Sequence, residues 1–189
     1  MLKHKTDEKI ILLVQEDSEY FGEIIDRYEK KLFRYISRIA NFSHDERDDI
    51  LQEVFIAVYK NIFDFEDGQK FSSWIYQIAH NKTIDYWRKN KKDRGQDISV
   101  DENLDFVNSV FWKNDVDEEI QNIENQELLK KLFSILDLKY REIFILRYEE
   151  EKKYEEISEI LKIPKSTVST LLNRGRKKII EEYQKIIEK

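Results

Sequence analysis

Between Lys165 and Lys178 the chain reads KSTVSTLLNRGRKK, in which short hydroxyl and amide side chains precede a run of cations. Ser, Thr and Asn can hydrogen-bond base edges, while Lys and Arg neutralise phosphates, so the stretch suits nucleic acid. The surrounding segment Leu161–Ile180 holds six basic residues (Lys162, Lys165, Arg174, Arg176, Lys177, Lys178) and no acid. A second basic segment, Asn81–Arg94, holds Lys82, Arg88, Lys89, Lys91, Lys92 and Arg94 against Asp85 and Asp93. The chain as a whole is acidic, with a net charge of −6. Contact with a phosphate backbone depends more on local potential than on that sum.

Bond-making chemistry finds no comparable cluster. His4, His44 and His80 are scattered, and no Glu-x-x-His pair exists for a carboxylate-bridged helical metal site. His44 and Asp48 stand four apart and read as a surface pair on one helix face. The absence of Cys excludes a thiolate nucleophile, a disulfide framework and a Cys-ligated metal. Gly22, Gly68, Gly95 and Gly175 make no phosphate-binding loop. The expectation is a protein that is not an enzyme and uses no metal or cofactor.

The elements that must position the basic segments are helical. Only four Gly and one Pro occur in 189 residues, and 38% of the chain is charged. That composition disfavours turn-rich sheets and favours amphipathic helices with solvated outer faces. Apolar residues recur at three-four spacing through Phe21, Ile24/Ile25, Tyr28, Leu32, Tyr35/Ile36 and Ile39, with a shorter helix before them capped at Thr6 or Asp7. A second pattern runs Ile50/Leu51, Val54/Phe55, Val58 and Ile62, beginning after Asn41–His44. The period breaks from Asn61 to Lys70, where Asp67–Gly68 signals a turn, and resumes from Phe71 to about Asn90.

Residues 91–125 carry ten acids against four bases and show no sustained period. They read as an acidic flexible tether between two small helical domains, 1–90 and 126–189. The apolar island Phe106, Val107, Val110, Phe111 and Trp112 inside it is unusual for a pure linker. Periodicity returns at Leu128/Leu129, Leu132/Phe133 and Ile135/Leu136, and Asp137 can cap the next helix, with Ile143, Phe144, Leu146 and Tyr148. The longest unbroken apolar run, Val54–Tyr59, is six residues, far below the ~20 of a membrane span. The start, MLKHKTDEK, does not read as a signal peptide. A soluble, cytoplasmic protein without membrane insertion is expected.

YEEISEIL, a KIP break around Pro164, and KSTVSTLLNRGRKKII read as a helix-turn-helix whose second helix starts at Lys165 or Ser166. Its apolar side is Val168, Leu171, Leu172 and Ile179. The DNA-facing side is expected to carry Ser166, Thr167, Ser169, Thr170, Asn173, Arg174, Arg176 and Lys177.

Four segments occur in order: DDILQEVFIAVYKNIFDF, FSSWIYQIAHNKTIDYWRK, LDLKYREIFILRYEEEKKYEEISEIL and IPKSTVSTLLNRGRKK. Together they resemble the extracytoplasmic-function sigma factors of bacterial RNA polymerase over about residues 7–90 and 126–180. The resemblance implies that Asp48, Asp49, Gln52, Glu53 and Phe55 dock the clamp of core polymerase. It implies that Phe71 and Asn81 read the −10 element and hold a flipped base, with Lys82, Arg88 and Lys89 on flanking phosphates. Trp74 reads as core, and Trp87 is open to either role. The second domain would bind the polymerase flap and place its recognition helix in the −35 major groove. An anti-sigma factor is a common partner in the group, and the ten tether acids could mimic nucleic acid in a basic channel of the enzyme. Departures are Thr170–Leu171 where the family often has Ser-Arg, Asn173 in place of an aromatic or His, Asp137 in place of Pro, and Ser158 in place of Ala.

Two other classes fit parts of the pattern. A stand-alone helix-turn-helix regulator would bind DNA unaided and as a symmetric dimer. A helical interaction protein would show no salt-sensitive DNA binding in any assembly.

Overall fold

A computed structural model describes residues 5–40, 42–66, 68–94 and 126–187. The apolar island at 106–112, the rest of the tether from 95 to 125, and Asp67 lie outside the described residues. Among the described residues every regular element is helical.

Helix α1 spans Asp7–Glu16, with Thr6 at the N-cap position and Asp7 and Glu8 in its first turn. It buries Ile10, Ile11 and Val14. A single 3-10 turn at Ser18–Tyr20 leads into α2, Phe21–Ile39. Of the expected stripe on α2, Ile24, Tyr28, Leu32, Tyr35, Ile36 and Ile39 are buried, whereas Phe21 and Ile25 at its first turns are only half-buried. Asp7 ties the two helices together by accepting hydrogen bonds from the Tyr28 hydroxyl at 2.5 Å and Arg27 at 2.8 Å.

Helix α3, His44–Lys60, opens on a capping box in which Ser43 and Glu46 satisfy each other's backbone N–H groups. It buries Ile50, Leu51, Val54 and Val58. The break after it contains a 3-10 turn at Ile62–Asp64 and Gly68 at φ +96°, a conformation that costs glycine little. Helix α4 then runs Phe71–Arg94, a turn longer than the hydrophobic period alone indicated.

The second half comprises α5 (Gln126–Ser134), α6 (Leu138–Phe144), α7 (Tyr154–Leu161) and α8 (Lys165–Ile187). Between α6 and α7 the backbone widens into a π-type segment at Ile145–Glu149. Arg141 closes the α5–α6 corner by donating to the carbonyls of Phe133, Ser134 and Leu136. Asp137 does occupy the N-cap position of α6, but its carboxylate makes no cap bond and instead accepts from Lys178 at 2.9 Å.

The two halves are in contact. Helix α7 packs along α4, α6 packs against α2, and the buried apolar residues of both halves belong to one core cluster. Arg141 reaches across to donate to the carbonyl of Ile39 at 3.0 Å.

Candidate nucleic-acid interface

The helix-turn-helix is α7 and α8. Its corner needs a left-handed residue, which is Lys162 at φ 53°. The Ser158 hydroxyl donates to the carbonyl of Ile163 at 2.6 Å and braces that corner. Ser in place of the family's usual Ala therefore adds a hydrogen bond across the turn. Helix α8 buries Val168, Leu171, Leu172 and Ile179, the apolar side expected from spacing.

Of the candidate −35 residues, Ser166, Arg174 and Lys177 are exposed, and Thr167, Ser169, Thr170 and Asn173 are half-buried. Ser166, Thr170, Asn173 and Lys177 follow one another at helical three-four spacing, and Arg174 stands four after Thr170 and three before Lys177, beside the same face. Arg176 departs from the expectation. It is 7% exposed and turned inward, donating to the hydroxyls of Tyr148 and Tyr154 and to Oδ1 of Asn173. The helix period explains the correction, since residue 176 lies eight positions after Val168 and four after Leu172, on the core side of α8.

On α4, Asn81, Arg88 and Lys89 are exposed, and Lys82 is partly exposed with an ion pair to Glu53 at 3.2 Å. Asn81, Asp85 and Arg88 stand four and three apart, so the amide and a cation line one side of the helix. Phe71 is the second correction. It is fully buried at the start of α4, edge-on to Tyr28 and Phe65 and tilted against Trp74. In this conformation its ring fixes where α4 begins and offers no surface to a base. Trp74 is half-buried beside it, and Trp87 is half-buried against the core. In the preceding loop Phe63 is 71% exposed, a large ring open to solvent that spacing did not single out. Its signal was an aromatic residue placed where the apolar period breaks.

On α3, Asp49, Gln52 and Glu53 face solvent, Asp48 pairs with His44 at 2.9 Å, and Phe55 is half-buried edge-on to Phe21. Beside them lies an open apolar groove between α2 and α3, lined by Phe21, Ile25, Leu51, Phe55, Ile56 and Tyr59. Ile56 and Tyr59 were missed in sequence, although two apolar residues off the core stripe of α3 are the signature of a surface built to be covered.

Sequence reasoning also missed a polar seam between the halves. The Tyr35 hydroxyl donates to Oε1 of Glu142 at 2.5 Å, and Nδ1 of His80 reaches the same oxygen at 2.6 Å. Arg34 donates to Glu150 at 2.9 Å, and Tyr76 hydrogen-bonds the other oxygen of that carboxylate. Arg38 pairs with Glu149 at 3.2 Å and Lys70 with Glu156 at 3.3 Å. Burial alone would lower the His80 pKa, but the Glu142 carboxylate and its hydrogen bond outweigh burial and the net shift is upward. Among the described residues no cluster of His, Cys, Asp or Glu could hold a metal ion, and no helix is long and apolar enough to cross a membrane.

Residues 24–93 match the sigma-70 region 2 family, and residues 126–179 match the sigma-70 region 4 family. The ECF RNA polymerase sigma factor SigW of Bacillus subtilis is 36% identical over 176 residues, covering 89% of this chain and 91% of that one. SigM of the same organism is 31% identical over 163 residues, 86% of this chain and 94% of that one. The ECF sigma-E factor of Escherichia coli is 28% identical over 198 residues, the full length of both. The fold is that of CnrH, solved in complex with the cytosolic domain of CnrY, at a TM-score of 0.68 and 18% identity, covering 95% of this chain and 98% of that one. It is also that of the sigma factor RpoE of Bartonella quintana, solved with the anti-sigma factor NepR, at 0.63 and 20%, covering 87% and 96%. The chain belongs to the extracytoplasmic-function family of RNA polymerase sigma factors. It is a promoter-specificity subunit and not an enzyme.

Proposed function

We propose that the labour is divided by domain. Residues 1–90 bind the clamp of core polymerase through Asp48, Asp49, Gln52, Glu53 and Phe55, and open the −10 element with Asn81, Lys82, Arg88 and Lys89. Residues 126–189 bind the polymerase flap and the −35 element through the exposed face of α8. Residues 91–125 tether the two. The observation that carries this reading is the pair of solvent-facing helices, α4 from Asn81 and α8 from Ser166, each with polar and basic side chains on one face and in separate halves of the chain.

Flipping a base costs a few kcal/mol of stacking, about what hydrogen bonds from one amide and flanking phosphate contacts can offset. Asn81 has the donors and the acceptor for that exchange. The net charge of −6 implies weak DNA binding by the free chain, with core polymerase supplying much of the affinity. The protein acts in the cytoplasm, where its polymerase is. A protein partner of the anti-sigma kind, as in the complexes of CnrH and of RpoE, fits the same fold.

Run-off transcription with bacterial core polymerase on a pool of genomic fragments tests the reading. New discrete start sites that depend on this protein are expected, and their upstream sequences would supply both promoter elements. No start sites from folded protein and a matched core would favour a stand-alone DNA-binding regulator.

A further inference from the structure

Asn173 is half-buried on α8, and its Oδ1 accepts a hydrogen bond from Arg176 at 3.0 Å. A guanidinium has donors only, so the atom that meets it is the amide oxygen and never the nitrogen. The orientation of an amide is ordinarily ambiguous, and here the partner settles it. Arg176 is itself held in place. It is 7% exposed, and the hydroxyls of Tyr148 and Tyr154 receive it at 3.2 and 3.3 Å. Turning the Asn173 amide over would set its N–H groups against a buried cation and take an acceptor from that cation, which is costly.

The side chain is left with a fixed polarity. Arg176 lies on the core side of α8, so the oxygen is drawn inward and the nitrogen is left outward. Among the described residues Nδ2 donates to no protein atom, and it is not shut off from solvent. Thr170, one turn earlier, spends its hydroxyl proton on the carbonyl of Ser166 at 2.9 Å and brings no competing donor to the same base.

In the major groove that polarity is selective. Asparagine ordinarily reads adenine with both ends of its amide, the nitrogen donating to N7 and the oxygen accepting from the N6 amino group. Guanine instead shows two acceptors, N7 and O6, whereas cytosine shows the N4 amino donor. An amide that presents N–H groups alone matches guanine, gains a single bond from thymine O4 or adenine N7, and meets cytosine donor to donor.

We infer that Arg176 is a positioning residue for promoter recognition: it holds the Asn173 amide as a donor, so that the base facing Asn173 in the −35 element is read as guanine rather than adenine. The inference rests on the placement of α8 on the −35 element proposed above.

The test is transcription by this protein with bacterial core polymerase from a promoter library randomised across the −35 element, with the transcripts sequenced. In the unaltered protein one position should favour guanine over adenine by roughly five- to hundredfold, the range of a bidentate base contact. Asn173→Ala should erase that preference at that position alone. Arg176→Met removes the donor and frees the amide to turn, so the guanine-to-adenine ratio there should fall to parity or invert, with preferences at other positions kept. Arg176→Lys supplies a donor again and should keep the guanine preference. If Arg176→Met fails to fold by its melting curve, Asn173→Asp decides the matter. Its carboxylate keeps the contact with Arg176, has no donor, and should move the preference from guanine to cytosine. Adenine preferred by the unaltered protein, a ratio unmoved in folded Arg176→Met, or guanine still preferred by Asn173→Asp overturns the inference. Selection at −35 positions of which none responds to Asn173→Ala also overturns it, and leaves α8 as the −35 reader. No selection at any −35 position in a transcribed library overturns the placement of α8 and the inference with it.

Discussion

Gly175 faces the ring of Phe144 so closely that a Cβ on the glycine would stand 2.5 Å from Cε2 of the ring. Glycine in mid-helix costs about 1 kcal/mol relative to alanine, so α8 gives up intrinsic stability for this approach. The ring has little room to yield, since it is fully buried and packed against Phe133 at 5.4 Å and Tyr148 at 5.3 Å between centroids. Gly175→Ala is therefore expected to destabilise the fold by about 1–3 kcal/mol, the usual cost of overpacking. Thermal unfolding checks it. A melting temperature equal to or above that of the unaltered protein would mean that the ring moves aside.

Arg174 and Arg176 differ by two positions and by face. Arg176→Ala removes a buried guanidinium that bonds Tyr148, Tyr154 and Asn173, and an expected loss of about 1–3 kcal/mol follows from the groups left unpaired. Arg174→Ala, at an exposed position, should leave the melting temperature alone and weaken −35 binding by the holoenzyme. If Arg174 meets a phosphate, the salt slope of that binding falls by about 0.9. A destabilised Arg174→Ala, or a salt slope moved by neither variant, would count against the orientation of α8 on DNA.

Core binding and melting are expected to separate cleanly. Asp49→Arg with Glu53→Arg reverses the exposed acids of α3 and should weaken association in a direct titration against core polymerase, because a basic docking surface would be repelled. Asn81→Ala should leave that titration unchanged and reduce permanganate reactivity of the −10 strand. Unaltered core affinity in the first variant would move the docking surface off α3. Unaltered reactivity in the second would take the base pocket away from Asn81.

Spacing made most helices legible because burial follows the helical period. The stripe of α8 is inside residue for residue, that of α2 is inside except for Phe21 and Ile25 at the groove, and Thr6, Lys165 and the break around Pro164 mark real ends or corners. Arg176 was misplaced because residue type was weighed above period: an arginine on the core side is tolerated when phenols receive it. Phe71 was assigned by resemblance, which carries a role but no burial. The seam was illegible for a different reason. Tyr35 and Glu142 are 107 residues apart, and no local pattern announces that a hydroxyl and a carboxylate so distant will share a buried bond. His80 was passed over as an isolated histidine, since its partner comes from the other half of the chain.

That partner makes docking of the two halves, their closed state, depend on pH. Glu142 from α6 faces His80, Tyr35 from α2 shares the same carboxylate oxygen, and Asp85 and Arg88 act from α4 itself. Burial and Arg88 favour the neutral ring, while Glu142 and Asp85 favour the charged one, and the net shift of the pKa is upward. In the separated state the ring returns toward its ordinary value of about 6.5. A group whose pKa is raised by closure stabilises the closed state fully below its open-state value, and that stabilisation is lost as pH rises through the raised value. The chain has no Cys of its own, so a Lys9→Cys, Glu181→Cys pair at exposed positions carries two dyes. Energy transfer between them should therefore be highest in mild acid and decline as the solution is made more basic, with helix content constant. His80→Gln keeps hydrogen-bonding capacity without a titrating charge and should flatten the decline. A profile that rises with pH, or one that His80→Gln leaves untouched, would remove His80 from control of the seam and leave Glu150 with Arg34 and Tyr76 to hold the halves together.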